Sequence, residues 1–262
     1  MPDDGGDAAR HREAIGSQGS RMSIVARLTS RVSALSAILR NARWLNPAME
    51  IVYRDLFLRD LRRLGIEDAF YPIGSAANHG LLYAITRAFA EFPLASVLEL
   101  GCGQSTLLLS DLNRTLNRSA SIRSVDQDPQ WVERLRSRVG HEVVVAELVP
   151  KTIRGHSIRH YRDGYFDKAK TYDLVIVDGP SVPDSAGAAL TRLGALEVLE
   201  TSLAPDFIVI VDDAERKGEG VLVDLMRSHL KAMGTGFGET SIIAAKRQHI
   251  FCGGEFRPAM FF

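Results

Sequence analysis

The sequence predicts a doubly wound α/β fold: a seven-stranded, mostly parallel sheet with a C-terminal antiparallel β-hairpin, preceded by N-terminal helices. Three observations predict it. From Ala95 onward, short β-branched runs alternate with helical segments. The runs are almost wholly apolar, as strands buried on both faces of a parallel sheet must be. The last two runs are separated only by Lys246-Arg247-Gln248, too short for a parallel crossover, so they form a hairpin.

Taken in order, residues 1–20 are rich in Asp, Gly, Ala and Arg and read as a disordered tail. Residues 21–70 form a helical region. Its first helix runs from Arg21 to Leu45, with Ile24, Leu28, Val32, Leu35 and Leu39 on one stripe among arginines and no acids. That helix reads as a lid on the core, as a homodimer contact, or as a segment lying on an anionic membrane surface. A second helical pattern runs from about Met49 to Leu64 and stops at Gly65. A third covers about Leu81 to Phe92.

The predicted strands are Ser96–Leu100, Ser121–Asp126, Glu142–Ala146, Tyr172–Asp178, Phe207–Asp212, Ser241–Ala245 and His249–Cys252. Helices fall at about Gln104–Leu116, Ala186–Leu203 and Glu219–Met233. One more opens at Asp128-Pro129, a cap followed by proline, buries Val132, Leu135 and Val139, and ends at Gly140. Right-handed crossovers between such units give a doubly wound sheet. These sheets bind ligands beyond the carboxyl ends of their strands. The chemistry is therefore expected just after Leu100, Asp126, Asp178 and Asp212.

Composition narrows the function. The 262 residues are 45% hydrophobic and 24% charged, with 32 basic and 32 acidic side chains. That is a packed globular composition with no excess charge to attract nucleic acid. Cys102 and Cys252 are the only cysteines, which is not a disulfide framework. No Cys/His cluster has zinc spacing, and no apolar run approaches the roughly 18 residues of a membrane span. Met1 to Ser20 lacks the apolar stretch of a secretory signal, so a cytoplasmic location is expected.

The main motif is Val97-Leu98-Glu99-Leu100-Gly101-Cys102-Gly103-Gln104-Ser105-Thr106, a strand running through Gly-x-Gly into a helix. Gly101 permits a tight turn and Gly103 allows close ligand approach. Asp126 ends the next strand, at the roughly 20-residue distance from which an acid reaches ribose hydroxyls. An adenosine-containing ligand is expected; the alternative is a glycine turn and a capping aspartate that serve only the fold. Cys102 reads as a small residue lining this pocket, or alternatively as a reactive thiol.

Glu99-Leu-Gly-Cys-Gly-Gln-Ser-Thr106 resembles the first motif of the class I S-adenosylmethionine-dependent methyltransferases, and Ser124-Val-Asp-Gln-Asp-Pro-Gln-Trp131 resembles their second. The resemblance spans about Gly74 to Gly253 and implies a Rossmann-like methyltransferase domain over 71–262. It implies that Gly101, Cys102, Gly103, Gln104 and Ser105 lie against S-adenosylmethionine. It also implies that Asp126 and Gln127 sit at its nucleoside and that Glu99 lies near its amino acid end. The family's third glycine is absent here. A nicotinamide-dependent oxidoreductase is the rival enzyme, but it calls for glycine where Thr106 stands. A non-catalytic cofactor-binding scaffold is the other rival.

Tyr172-Asp-Leu-Val-Ile-Val-Asp178-Gly-Pro and Phe207-Ile-Val-Ile-Val-Asp212-Asp213 end neighbouring strands. They bring Asp178, Asp212 and Asp213 to one crevice, where three carboxylates repel unless protons or a cation compensate. An all-oxygen set suits Mg²⁺ or another hard divalent cation. The arrangement resembles the metal-dependent O-methyltransferases of catechol and macrocin type, which implies Asp178, Asp212 and Asp213 as metal ligands and Asp178 as a catalytic group. The competing reading has Asp178 at the cofactor and the pair as helix caps. His79, in the loop Tyr71-Pro-Ile-Gly-Ser-Ala-Ala-Asn-His-Gly80, is a second candidate base, or simply part of a helix start. His156, His160, Tyr161 and Tyr165 either line the acceptor pocket or pack at the surface. The reaction expected from the resemblance is methyl transfer to a hydroxyl of a sugar or other small-molecule acceptor.

Overall fold

A computed structural model describes residues 45–72, 77–181 and 188–262. The predicted tail lies outside the described residues, as does the arginine-rich helix predicted from Arg21 to Leu45 save its last residue, and so do 73–76 of the loop before His79. Leu45–Phe262 forms one unit.

Helix α1 (Met49–Leu64) ends where Gly65 takes φ 70°, a left-handed stop. Helix α2 (His79–Glu91) begins where the Asn78 side chain accepts a hydrogen bond from the Leu81 N–H. It buries nine of its 13 residues, including Leu81, Leu82, Ile85 and Phe89. The sheet then starts with β1 (Ser96–Leu100), followed by α3 (Gln104–Thr115), β2 (Ser121–Asp126), α4 (Pro129–Arg136) and β3 (Glu142–Val145). The Asp128 cap of α4 accepts from the Gln130 and Trp131 N–H groups, as the Asp-Pro pair predicts.

After β6 (Tyr172–Val177), a 3₁₀ segment (Ala188–Ala195) and short α5 (Leu196–Thr201) lead into β7 (Leu203–Val211), α6 (Lys217–Ala232), β8 (Phe237–Ile243) and β9 (Arg247–Gly253). The main sheet has the order β3-β2-β1-β6-β7-β9-β8. β9 runs antiparallel to both neighbours, and the other pairings are parallel. The predicted seven-stranded doubly wound sheet with its closing hairpin is therefore present.

Alternation along each strand splits the core. Leu174, Ile176, Ile208 and Ile210 pack with α1, α2 and α3 on one face. Val175, Val177, Val209 and Val211 pack with α5 and α6 on the other.

Three details differ from expectation. Residues 148–161 are not an irregular connection but a separate hairpin, β4 (Leu148–Ile153) and β5 (His156–Tyr161). Its two-residue turn places Arg154 and Gly155 at φ 49° and 78°, the geometry tight hairpins require. His160, Tyr161 and Tyr165 are buried core groups with their rings in mutual contact, and His156 is exposed; none of the four lines the pocket at the strand ends. The helix expected from Ala186 is largely 3₁₀ and turns α-helical only at Leu196. Among the described residues, no helix is long and apolar enough to cross a membrane.

Candidate functional site

Three backbone hydrogen bonds hold the strand ends in a row: Gly101 N–H to Val125 O, Asp178 N–H to Leu100 O, and Asp212 N–H to Val177 O, at 2.8, 2.8 and 3.0 Å. They place Asp126, Gly101, Asp178 and Asp212 side by side along the carboxyl edge, where a doubly wound sheet binds ligands. Above this edge lies a cavity of about 320 Å³, within the range of small-molecule sites. Gly101, Cys102, Gly103, Gln104, Asp126, Asp178 and Asp213 line it, and so do Ala77, Trp131, Ser181, Arg192 and Arg216.

The two loop glycines do different work. Gly101 has φ 93°, and a Cβ there would lie 2.7 Å from the Gly179 nitrogen and 2.8 Å from the Asp178 carbonyl carbon. Gly179 in turn leaves no room for a Cβ against the Gly101 backbone. The glycine loop and the Asp178-Gly-Pro turn thus pack backbone to backbone. A Cβ at Gly103 would meet nothing within 4 Å, so its surface faces open space at the cavity.

The loop's amides are already engaged. Cys102 N–H donates to Asp126 Oδ2 at 2.9 Å, and Gly103 N–H donates to Thr106 Oγ1 at 2.9 Å. Thr106 Oγ1 donates in turn to Glu99 Oε2 at 2.7 Å. A phosphate cradle needs free N–H groups, and here two of them are spent on side chains. The side chains at this end are also acidic. Glu99 is fully buried, and burial pushes its carboxyl up to about 7, against the opposing effect of nearby hydroxyls such as Thr106. Burial likewise raises Asp126, opposed by the backbone N–H groups of Cys102 and Asp128. Trp131 Nε1 donates to Cys102 O at 2.8 Å and closes one wall. Burial drives the Cys102 thiol far above its ordinary range, which fits the lining role and not the reactive thiol.

The other end is an ion-pair network. Asp178, Asp212 and Asp213 each bring a carboxylate oxygen within 4.8 Å of the others. The Arg192 Nη2 bridges Asp178 Oδ1 at 3.1 Å and Asp213 Oδ2 at 3.0 Å. Lys246 Nζ bridges Asp212 Oδ2 at 3.1 Å and Asp213 Oδ1 at 3.3 Å. Arg216 reaches Asp213 Oδ2 at 2.9 Å, and Gln248 Nε2 donates to Asp212 Oδ1 at 2.6 Å. Burial and the neighbouring Asp212 push the Asp178 carboxyl well above the usual range. Burial alone would raise Asp212 too, but Lys246 and Arg192 hold it below.

Not every predicted residue reaches the cavity. Ser105 is buried behind the loop, and Gln127 donates to Ser181 O at 3.1 Å across the strand ends. Asp212 is fully buried behind Asp213. His79 is not in the lining: its Nδ1 and backbone N–H both contact Glu50 Oε1, at 3.1 and 2.7 Å. Those contacts tie the start of α2 to α1 and set the His79 ring against Glu50 rather than in the cavity lining. Sequence reasoning missed Trp131, Arg192 and Arg216 in the lining, and Lys246 behind it. Only the demand of three buried carboxylates for compensation pointed to such cations.

No family model matches the chain, and no curated protein matches it. Several solved structures are similar to it. The O-methyltransferase TomG from Streptomyces achromogenes, solved with SAM, is 15% identical over 81% of this chain and 98% of its own, with a TM-score of 0.46. A methyltransferase from Pyrococcus furiosus is 16% identical over 77% and 98%, with a TM-score of 0.41. The SAH-bound methyltransferase PaMTH1 of Podospora anserina is 15% identical over 77% and 88%, with a TM-score of 0.43.

Proposed function

We propose that this chain is an S-adenosylmethionine-dependent methyltransferase acting on a hydroxyl of a small-molecule acceptor. The observation that carries the reading is the acidic, amide-poor glycine-loop end of the cavity. Cys102 and Gly103 have given their N–H groups to Asp126 and Thr106, and Glu99 stands buried behind. A pyrophosphate would meet negative charge and few donors there, whereas a cationic adenosyl ligand meets charge of the opposite sign. The nicotinamide reading lacks that complementarity.

In this reading Asp126 holds the ribose hydroxyls, the open face of Gly103 lies against the ligand, and Trp131 and Gln104 wall the pocket. S-adenosylmethionine, when bound, supplies an electrophilic methyl on a positively charged sulfur. The chain's own contribution is positioning and handling of one proton. Asp178 faces the cavity and takes the acceptor's hydroxyl proton, and its raised proton affinity makes it a stronger base than an ordinary carboxylate. Activity then rises with pH as Asp178 gives up its own proton. Arg192, fixed between Asp178 and Asp213, holds that carboxyl in place.

Calorimetric titration with S-adenosylhomocysteine tests the reading. The wild-type chain should bind it, and Asp126→Ala should weaken binding by about 10- to 100-fold, the value of a lost hydrogen bond to a charged group. Tighter binding of NADH than of S-adenosylhomocysteine would transfer the chain to the oxidoreductases.

A further inference from the structure

We infer that the three-aspartate cluster is not a metal site: Lys246 and Arg192 are the cations it is built around, so the proposed methyl transfer proceeds without a divalent ion. This inference rests on the methyltransferase reading of the same cavity. A Mg²⁺ or Mn²⁺ ion needs an octahedron of oxygens about 2.1 Å away, and even when waters fill most of it, one or two carboxylate oxygens must be free to face the ion. Here most of the oxygens that would converge already face a side-chain cation or donor. Both oxygens of Asp212 accept, one from Gln248 and one from Lys246. Both oxygens of Asp213 face cations, Lys246 on one and Arg192 with Arg216 on the other. Asp178 Oδ1 faces Arg192.

Neither cation is free to leave. The Arg192 side chain is 5% exposed. It also lies 3.5 Å from Glu219 Oε1 and donates to the Asp212 carbonyl at 3.0 Å. Lys246 sits at the turn between β8 and β9 with its side chain 14% exposed. Its ammonium bridges the two aspartates whose oxygens a metal would have to share. A divalent ion entering the cluster would be set beside an ammonium and a guanidinium in a poorly screened interior, where like charges repel strongly. Side-chain cations already serve the cluster: Asp178, Asp212, Asp213 and Glu219 face Arg192, Lys246 and Arg216.

The same arrangement bears on the acceptor. A metal would grip two adjacent substrate oxygens, as chelation requires. With fixed side-chain cations instead, the acceptor needs only one reacting hydroxyl within reach of Asp178. A single-hydroxyl compound is therefore as good a candidate as a vicinal diol.

Titration of the full chain with Mn²⁺, followed by the loss of the free-ion electron paramagnetic resonance signal, tests the inference. S-adenosylhomocysteine calorimetry runs in parallel. The wild-type chain should take up no Mn²⁺ at millimolar concentration, and its S-adenosylhomocysteine affinity should be the same in EDTA as in Mn²⁺. Lys246→Met, or Lys246→Gln if the first fails to fold, empties the bridging position and should tighten Mn²⁺ binding by at least about tenfold. One Mn²⁺ bound per wild-type chain, and lost in Asp212→Asn, overturns the inference. A folded Lys246 variant that still ignores Mn²⁺ also overturns it, because the ammonium would then not be what excludes the ion. If neither variant folds, the wild-type titration decides alone. Failure to bind S-adenosylhomocysteine would sink the methyltransferase reading instead, whatever Mn²⁺ does.

Discussion

Replacing Glu99 with glutamine isolates the electrostatic strain stored behind the glycine loop. Glu99 is fully buried, and its carboxyl moves from an ordinary 4.5 to about 7, with burial the main cause. A carboxyl that binds its proton more tightly in the folded chain stabilises that chain fully at acid pH. The contribution is lost as pH rises from about 4.5 through about 7. At about 1.4 kcal/mol for each tenfold change in proton affinity, the loss is about 3 kcal/mol. Glutamine keeps the acceptor that Thr106 Oγ1 uses but carries no charge to titrate. Other buried acids also titrate, so the informative quantity is the difference between the two proteins. Urea unfolding across this pH range should show Glu99→Gln gaining about 3 kcal/mol on wild type between the acid and alkaline ends. That corresponds to about 6–12 °C in melting temperature for a domain of this size. A difference that stays flat with pH would refute the reasoning, because Glu99 would then ionise as easily inside as outside. The variant should also bind S-adenosylhomocysteine more weakly above pH 7, since the negative charge behind the glycine loop is gone.

Two further expectations follow from the same loop. Gly101→Ala should cost at least about 3 kcal/mol in urea unfolding, from a left-handed backbone plus overlap with Gly179. Gly103→Ala meets nothing and should leave stability within about 0.5 kcal/mol, while lowering S-adenosylhomocysteine affinity by at least about tenfold; equal effects of the two substitutions on stability would contradict their assigned roles. Iodoacetamide should label Cys102 at least about 100-fold more slowly than free cysteine at the same pH, read by mass spectrometry, because burial suppresses its thiolate. Rapid labelling would show a reactive thiol after all.

Local punctuation made most of the fold readable in the sequence. Gly65 stops α1 and Asp128-Pro129 opens α4 by chemistry that involves only adjacent residues. The apolar runs at 97–100, 174–177 and 207–211 are strands because nothing else buries both faces of so short a segment. The hairpin at 148–161 was harder to read. Its strands are exposed on alternate residues and rich in Lys, Arg and His, which resembles a surface loop, and only Arg154-Gly155 marked its turn.

The site was half legible for a similar reason. Gly101, Gly103 and Asp126 lie at strand ends fixed by the topology, so their convergence follows from the fold alone. Partners supplied by distant elements do not. Nothing near His79 says that Glu50 will claim it. Nothing near Arg192 or Lys246 says that a 3₁₀ segment and a hairpin turn will aim both cations at the aspartates. The carboxylates announced that compensation was required, but not whether a metal or side chains would provide it.

In the proposed methyltransferase the methyl donor lies between the open face of Gly103 and the carboxylate of Asp126. A crystal structure of the full chain with S-adenosylhomocysteine tests it most directly. Ribose hydroxyls should lie within hydrogen-bond distance of Asp126, and the sulfur on the Asp178 side of the cavity. A ligand seated elsewhere, or one whose ribose points away from Asp126, would contradict it.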